Sequence, residues 1–171
     1  YAYQGDHAKA MGYYFQGLAI EEKIKVQNNL HWYYSNIANL YSEQNNTKKS
    51  FEYAFKALAV ERKISAKGAL AVTLTNIAGM YQNIKKFDSA LVYYKEALPF
   101  AIEMKDTFAI ALNQSNSALA YTQLKQYDLG RNLSVKSIEL CKHKGYQDLL
   151  VYSYQNLGDI DKIFKQYESA E

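Results

Sequence analysis

Two stretches decide the fold: Tyr34-Ser35-Asn36-Ile37-Ala38-Asn39-Leu40-Tyr41 and Leu74-Thr75-Asn76-Ile77-Ala78-Gly79-Met80-Tyr81. In each, the apolar or small residues fall at i, i+3, i+4 and i+7, the spacing of one face of an α-helix. The second stretch begins 40 residues after the first, and the same shift without gaps aligns Asn36, Asn76, Asn116 and Asn156. It also aligns Tyr1, Tyr41, Tyr81 and Tyr121, and the small residues Ala38, Ala78, Ala118 and Gly158. Further columns read Ala10, Ser50, Ala90, Gly130 and Ala170, then Gly17, Ala57, Ala97 and Ser137, then Leu18, Leu58, Leu98 and Ile138. So many columns in one register mark an internal repeat, and a fixed period of this length is the signature of a stacked array.

Each unit holds two helical stretches. The spacing predicts first helices over about 31–44, 71–84, 111–124 and 150–164, and second helices over about 7–25, 47–65, 87–104 and 127–144. Gly5-Asp6, Asn45-Asn46-Thr47, Lys85-Lys86 and Lys125-Gln126 occupy the turns within pairs, where Asn and Thr oxygens suit helix capping. Val26 to Leu30, Ser65 to Leu70, Lys105 to Thr107 and Lys144 to Asp148 lie between pairs, with Gly68 and Gly145 placed to cap helix C-termini. Pro99 is expected to kink its helix by removing one donor near Lys95. The frame is a single array: a partial repeat over 1–30, full repeats over 31–70, 71–110 and 111–150, and a partial repeat over 151–171.

Composition agrees with long helices, since 171 residues contain one Pro and eight Gly while 49% are hydrophobic. A net charge of +3 is too small to imply nucleic-acid binding by this segment. No run approaches the roughly 18 apolar residues that span a bilayer, so membrane insertion by this segment is not expected. The compartment stays open, because the one cysteine, Cys141, speaks to no redox environment and is read as a small core residue.

These residues resemble tetratricopeptide repeats. The family pattern of a bulky residue, Leu-Gly and Tyr in the first helix is approximated by Tyr34, Ile37-Ala38 and Tyr41, and the small, aromatic, small pattern of the second by Ala90, Tyr94 and Ala97. The period is closest to the variant of kinesin light chains, Rap-type regulators and the repeat segments of bacterial sensors. The resemblance implies an all-α, right-handed α-solenoid of stacked antiparallel helix pairs. Ser117, Ala54, Ser134 and Asp161 depart from the pattern. Leu150, Val151, Tyr154, Leu157 and Phe164 have no complete second helix after them, so we read the array as part of a longer protein, with self-association through uncovered ends as the rival reading.

Catalytic and metal chemistry find no support. His7, His31 and His143 are scattered, and no metal-binding helix motif, phosphate-cradling loop, nucleophile elbow or cofactor motif occurs. Asp159 and Asp161, two apart on a helix, point to different sides.

The sharper signal is a stripe opposite the packing columns. It runs through Trp32, Asn36, Asn39 and Glu43, then Val72, Asn76, Gly79 and Asn83, then Leu112, Asn116, Leu119 and Gln123, then Tyr152, Asn156, Asp159 and Ile163. The resemblance implies that such positions line the concave groove. Asn costs roughly 0.6 kcal/mol relative to Ala inside a helix, so four aligned Asn need partners. An amide supplies two donors and an acceptor, enough for both backbone groups of one bound residue, whereas bonds to the adjacent repeat would only fix stacking. We therefore expect a peptide-binding surface at Trp32, Asn36, Asn39, Val72, Asn76, Asn83, Leu112, Asn116, Gln123, Tyr152, Asn156 and Asp159. The expected role is an interaction module for a protein or peptide, in a regulatory or sensory part of a bacterial signalling protein. The alternative is a structural scaffold or oligomerisation segment.

Overall fold

One turn recurs every twenty residues and sets the helix boundaries. In the computed structural model, which describes residues 7–24 and 29–168, positive φ occurs at Asn45, Ser65, Lys85, Lys105, Lys125 and Gly145. At each, the next residue's N–H donates back to a carbonyl five residues earlier, as in Asn46 to Tyr41 at 2.8 Å, Lys86 to Tyr81 at 2.9 Å and Gln126 to Tyr121 at 2.9 Å. This is the Schellman closure, in which a left-handed residue turns the last carbonyls of a helix toward donors beyond its end. Turns within a pair and turns between pairs share it, so the five helices bounded by it at both ends each hold 17 or 18 residues.

Eight helices are described: α1 (His7–Ile24), α2 (Leu30–Glu43), α3 (Thr47–Ile64), α4 (Lys67–Asn83), α5 (Phe87–Glu103), α6 (Thr107–Gln123), α7 (Tyr127–Lys144) and α8 (Gln147–Glu168). The chain is all-α among the described residues, and the expected solenoid is found. α2 with α3, α4 with α5 and α6 with α7 form antiparallel pairs, while α3 leans on α4, α5 on α6 and α7 on α8. α6 also touches α4 and α8, so the first helices of successive pairs line one side of the stack. The Tyr1, Gly5-Asp6, Val26 and Ala170 positions of the repeat frame lie outside the described residues.

Two boundary expectations need correction. α4 and α6 begin at Lys67 and Thr107, four residues before the expected starts. Gly68 is not a C-terminal cap: Ser65 takes the left-handed conformation that ends α3, and Gly68 sits in the first turn of α4. The helix starts early because Leu70 is drawn into the core, leaving only Ser65 and Ala66 outside helices. Gly145 does cap α7, and the Asn46 side chain accepts from Lys49 N at the start of α3. α5 runs through the exposed Pro99 to Glu103 without ending.

The small columns are where paired helices meet. Ala38, Ala78 and Ala118 are buried, and the Ser50 hydroxyl donates to Ala38 O at 2.9 Å. At the matching place in the third pair a Cβ on Gly130 would lie 2.7 Å from Thr122 Oγ1 and 3.1 Å from Ala118 O, so this approach requires glycine. Larger groups fill the flanks: Leu58, Leu70, Leu74, Ile77 and Met80 form one core cluster with Phe51, Tyr81 and Tyr93 around it.

Polar residues hold the joints between pairs, with different chemistry at the two ends. Near the first joint, Thr73 Oγ1 donates to the buried Glu61 carboxylate at 2.8 Å, and Ser35 lies 3.4 Å from Thr73. Burial pushes the Glu61 carboxyl above its ordinary range, against the opposing pull of the Thr73 hydrogen bond, His31 and Ser35. At the last joint the corresponding groups are neutral: Ser153 Oγ lies 2.9 Å from Ser137 Oγ and donates to Ser115 Oγ at 3.0 Å, with Cys141 in the Glu61 position.

Candidate functional site

α4 and α6, which share one face of the stack with α8, are almost uncharged. α6, read from Thr107 to Gln123, contains no charged residue, and α4 contains only Lys67, whose ammonium is paired with Glu103. Two cavities open along this face. Between α4 and α6, a cavity of about 380 Å³ is lined by Val72, Asn76, Met104, Asp106, Phe108 and Leu112, with small residues such as Gly68 and Ala71 among them. Between α6 and α8, a second of about 360 Å³ is lined by Leu119, Gln123, Asn156, Asp159, Lys162 and Ile163. The first is predominantly apolar; the second is mostly polar with a balanced pair of charges.

The cavities bring Val72, Asn76 and Leu112 together at one place and Gln123, Asn156 and Asp159 at another. Trp32, Asn39, Asn83, Asn116 and Tyr152 line neither of these two. Trp32 is half exposed and packs edge-on against Tyr14 and Tyr33, with ring centroids 5.5 and 5.1 Å away. Asn39 and Asn83 are exposed, Asn83 being the last residue of α4. Tyr152 is half-buried on α8, its hydroxyl pushed up by burial and pulled back by a hydrogen bond with Asn156.

The asparagine column is not a uniform ladder. Asn36 Nδ2 donates to Trp32 O in its own helix at 2.7 Å. Asn156 is 5% exposed and its Nδ2 donates to Ser115 O at 3.0 Å, so its amide nitrogen ties α8 to α6. Asn76 is exposed and Asn116 half-buried, and neither side chain makes a hydrogen bond among the described residues. Two of the four expected amide grips are thus engaged within the protein, because each amide takes the partner its own neighbours offer.

Met104 and Phe108 are lining residues that sequence reasoning missed. They flank the turn at Lys105 and Asp106, which reads as linker, and they are 53% and 47% exposed. Two large apolar side chains on either side of a polar turn were the available signal. Asp106 is occupied locally, its carboxylate accepting from Ala109 N at 3.0 Å to cap α6.

No group of three or more candidate metal-ligating side chains clusters among the described residues, and no described helix is long and apolar enough to cross a membrane.

Comparison with known proteins agrees with this architecture. Residues 29–103 match the family model for the tetratricopeptide repeat. No curated protein matches the sequence. Among solved structures, BtubC (BKLC) from P. vanneervenii superposes with a TM-score of 0.84 at 21% identity, over 99% of this chain and 70% of that one. Apo RapI gives a TM-score of 0.84 at 17% identity, over 98% of this chain and 46% of RapI. A STAND signal-transduction ATPase with a tetratricopeptide-repeat sensor, from Pyrococcus horikoshii, gives 0.85 at 17% identity, over 95% of this chain and 25% of the ATPase. The chain therefore spans less than half of RapI and a quarter of the ATPase, and these likenesses establish the fold. Repeats of this fold generally mediate protein–protein interaction.

Proposed function

We propose, taking the tetratricopeptide-repeat solenoid as premise, that the face of α4, α6 and α8 binds an extended, uncharged segment of a partner protein. The observation that carries this reading is the apolar cavity beside the unengaged amide of Asn76 on helices almost free of charge. Asp106 lines the first cavity, but its carboxylate already caps α6, so an aliphatic or aromatic side chain is favoured among Val72, Phe108 and Leu112. Asn76 and Asn116 would bond the ligand backbone. Leu112 and Leu119 lie seven residues apart on α6, a rise of about 10 Å, so about three extended residues would link the two cavities. A regulatory or sensory role, which we read as part of bacterial signalling, is supported by the likeness in fold to the repeat sensor of a signal-transduction ATPase.

The test is selection from a random peptide display library, followed by titration of the recovered peptides. Selected sequences should carry an apolar anchor and little net charge, and their affinity should vary little with salt. Asn76→Ala with Asn116→Ala should weaken binding roughly tenfold, the scale of two lost hydrogen bonds, and Leu112→Asp should abolish it. Charged peptides, or undiminished binding by folded variants, would end the groove reading.

A further inference from the structure

The cavity between α4 and α6 lies at the middle joint, where α5 leads into α6, with a complete helix pair on either side. The 40-residue register gives its lining residues direct counterparts at the last joint, and there the counterparts are packed together. Ala101, Ala71 and Ala109 correspond to Cys141, Ala111 and Leu149, which are buried in one cluster. Asp106 and Leu112 correspond to Tyr146 and Tyr152, which pack against that cluster. Tyr146 is fixed by Thr107, whose Oγ1 lies 2.6 Å from its hydroxyl, and by Phe108, edge-on with ring centroids 5.2 Å apart.

The two joints therefore share a backbone plan and differ in bulk. The middle joint has Ala109 where the last has Leu149, Leu112 for Tyr152, Ala101 for Cys141, and the short Asp106 for the ring of Tyr146. At the first joint, too, the Ala101 position holds a larger group, the buried Glu61, and the Ala71 position holds His31. Ala101, at 3% exposure, is the most buried residue lining the cavity. The polar groups beside this space have partners: Thr75 Oγ1 donates to Ala71 O at 2.8 Å, and Asp106 accepts from Ala109 N. Neither calls for a polar group in what fills the cavity.

We propose that Ala101 and Ala109 are specificity-determining residues of this face. Their small side chains keep open at the middle joint the space that Cys141 and Leu149 fill at the last, and one large apolar side chain of the partner segment takes it. The ligand in this inference rests on the groove reading above, whereas the open cavity rests on the comparison of joints alone. The anchor sets the register of the partner along the stack, because seating it between α4 and α6 brings the residues beside it to Asn76 and Asn116.

The closed packing can be transplanted. Ala101→Cys with Ala109→Leu copies into the middle joint a pair of residues that the last joint already accommodates. Benzene probes the cavity itself, since apolar cavities of about 150 Å³ already take it. Benzene-saturated buffer should shift the methyl resonances of Val72, Met104 and Leu112 in the wild type. The double variant should lose most of that shift while keeping its helical signal and cooperative melting, and Ala109→Leu alone, at a half-buried position, should lose part of it. Peptides recovered by display should bind the double variant roughly tenfold more weakly, the scale of one side chain no longer buried. No benzene shift in the wild type, or equal shifts in folded variants, would overturn the cavity assignment. Peptides that bind wild type and double variant alike, while Asn76→Ala with Asn116→Ala still weakens them, would overturn the anchor and leave the groove reading standing. Recovery of no peptide, with the benzene shifts as expected, would sink the groove reading and the anchor with it.

Discussion

α4 and α8 occupy the same place in the repeat and meet different surroundings. On α4, Leu74, Ile77 and Ala78 are fully buried between α3 and α5. On α8, Tyr154 and Gly158 at the Leu74 and Ala78 positions are exposed, and Leu157, at the Ile77 position, is half-buried. The asparagine column inverts this order: Asn76 is exposed while Asn156 is buried against Ser115. A repeat position therefore specifies where a side chain points, and the neighbouring helices decide whether that direction is core, groove or open surface.

The largest expected difference lies in the core column. Leu74→Ala should cost about 3 kcal/mol, as for a large side chain removed from a packed interior. Tyr154→Ala should stay within about 0.5 kcal/mol when measured by denaturant unfolding of dilute protein. Equal losses would mean that α8 is already covered in solution. A smaller, opposite contrast belongs to the amide column. Asn156→Ala should cost about 1 kcal/mol by removing the amide bond that ties α8 to the Ser115 carbonyl, while Asn76→Ala should gain about 0.5 kcal/mol from helix propensity alone. Matching effects at the two sites would show that the column acts as one unit.

The smallest effect concerns pH and separates the first joint from the last. Glu61 has its carboxyl raised by burial, so the folded state holds a proton that the unfolded state releases more readily. Its contribution is complete at acid pH below the ordinary carboxyl range and is lost as pH rises through the folded value. Glu61→Gln should therefore gain on the wild type as pH rises from about 4 toward neutrality, followed as melting temperature against pH. Cys141, in the same position at the last joint, is a thiol that burial pushes up, and Cys141→Ala should leave that slope unchanged.

The helix pairs were legible in the sequence because close approach restricts side-chain size at Ala38, Ala78 and Ala118 wherever the array repeats. Helix starts were less legible, since Lys67-Gly68-Ala69 and Thr107 carry no strong packing residue and read as linker although α4 and α6 already include them. The groove stripe was legible as a direction, and Val72, Asn76 and Leu112 do converge on one cavity. What each amide bonds was not, because Asn156 finds its carbonyl on a residue 41 positions away. Phe108 continues the stripe one turn before Leu112 and was missed because α6 starts earlier than its expected start at 111, whereas Met104 closes α5 across the turn, outside that helical period.

The recurring left-handed turn bears on how the array would give way under mechanical load. Because Asn45, Ser65, Lys85, Lys105, Lys125 and Gly145 stand at even intervals of 20 residues, each helix from α3 to α7 holds, with its turn, the same length of chain. Pulled from its ends, such a molecule would lengthen in equal steps of about 70 Å of contour per helix, since an extended residue spans about 3.5 Å. The natural unit of extension is then the single helix, half of the unit by which the sequence repeats.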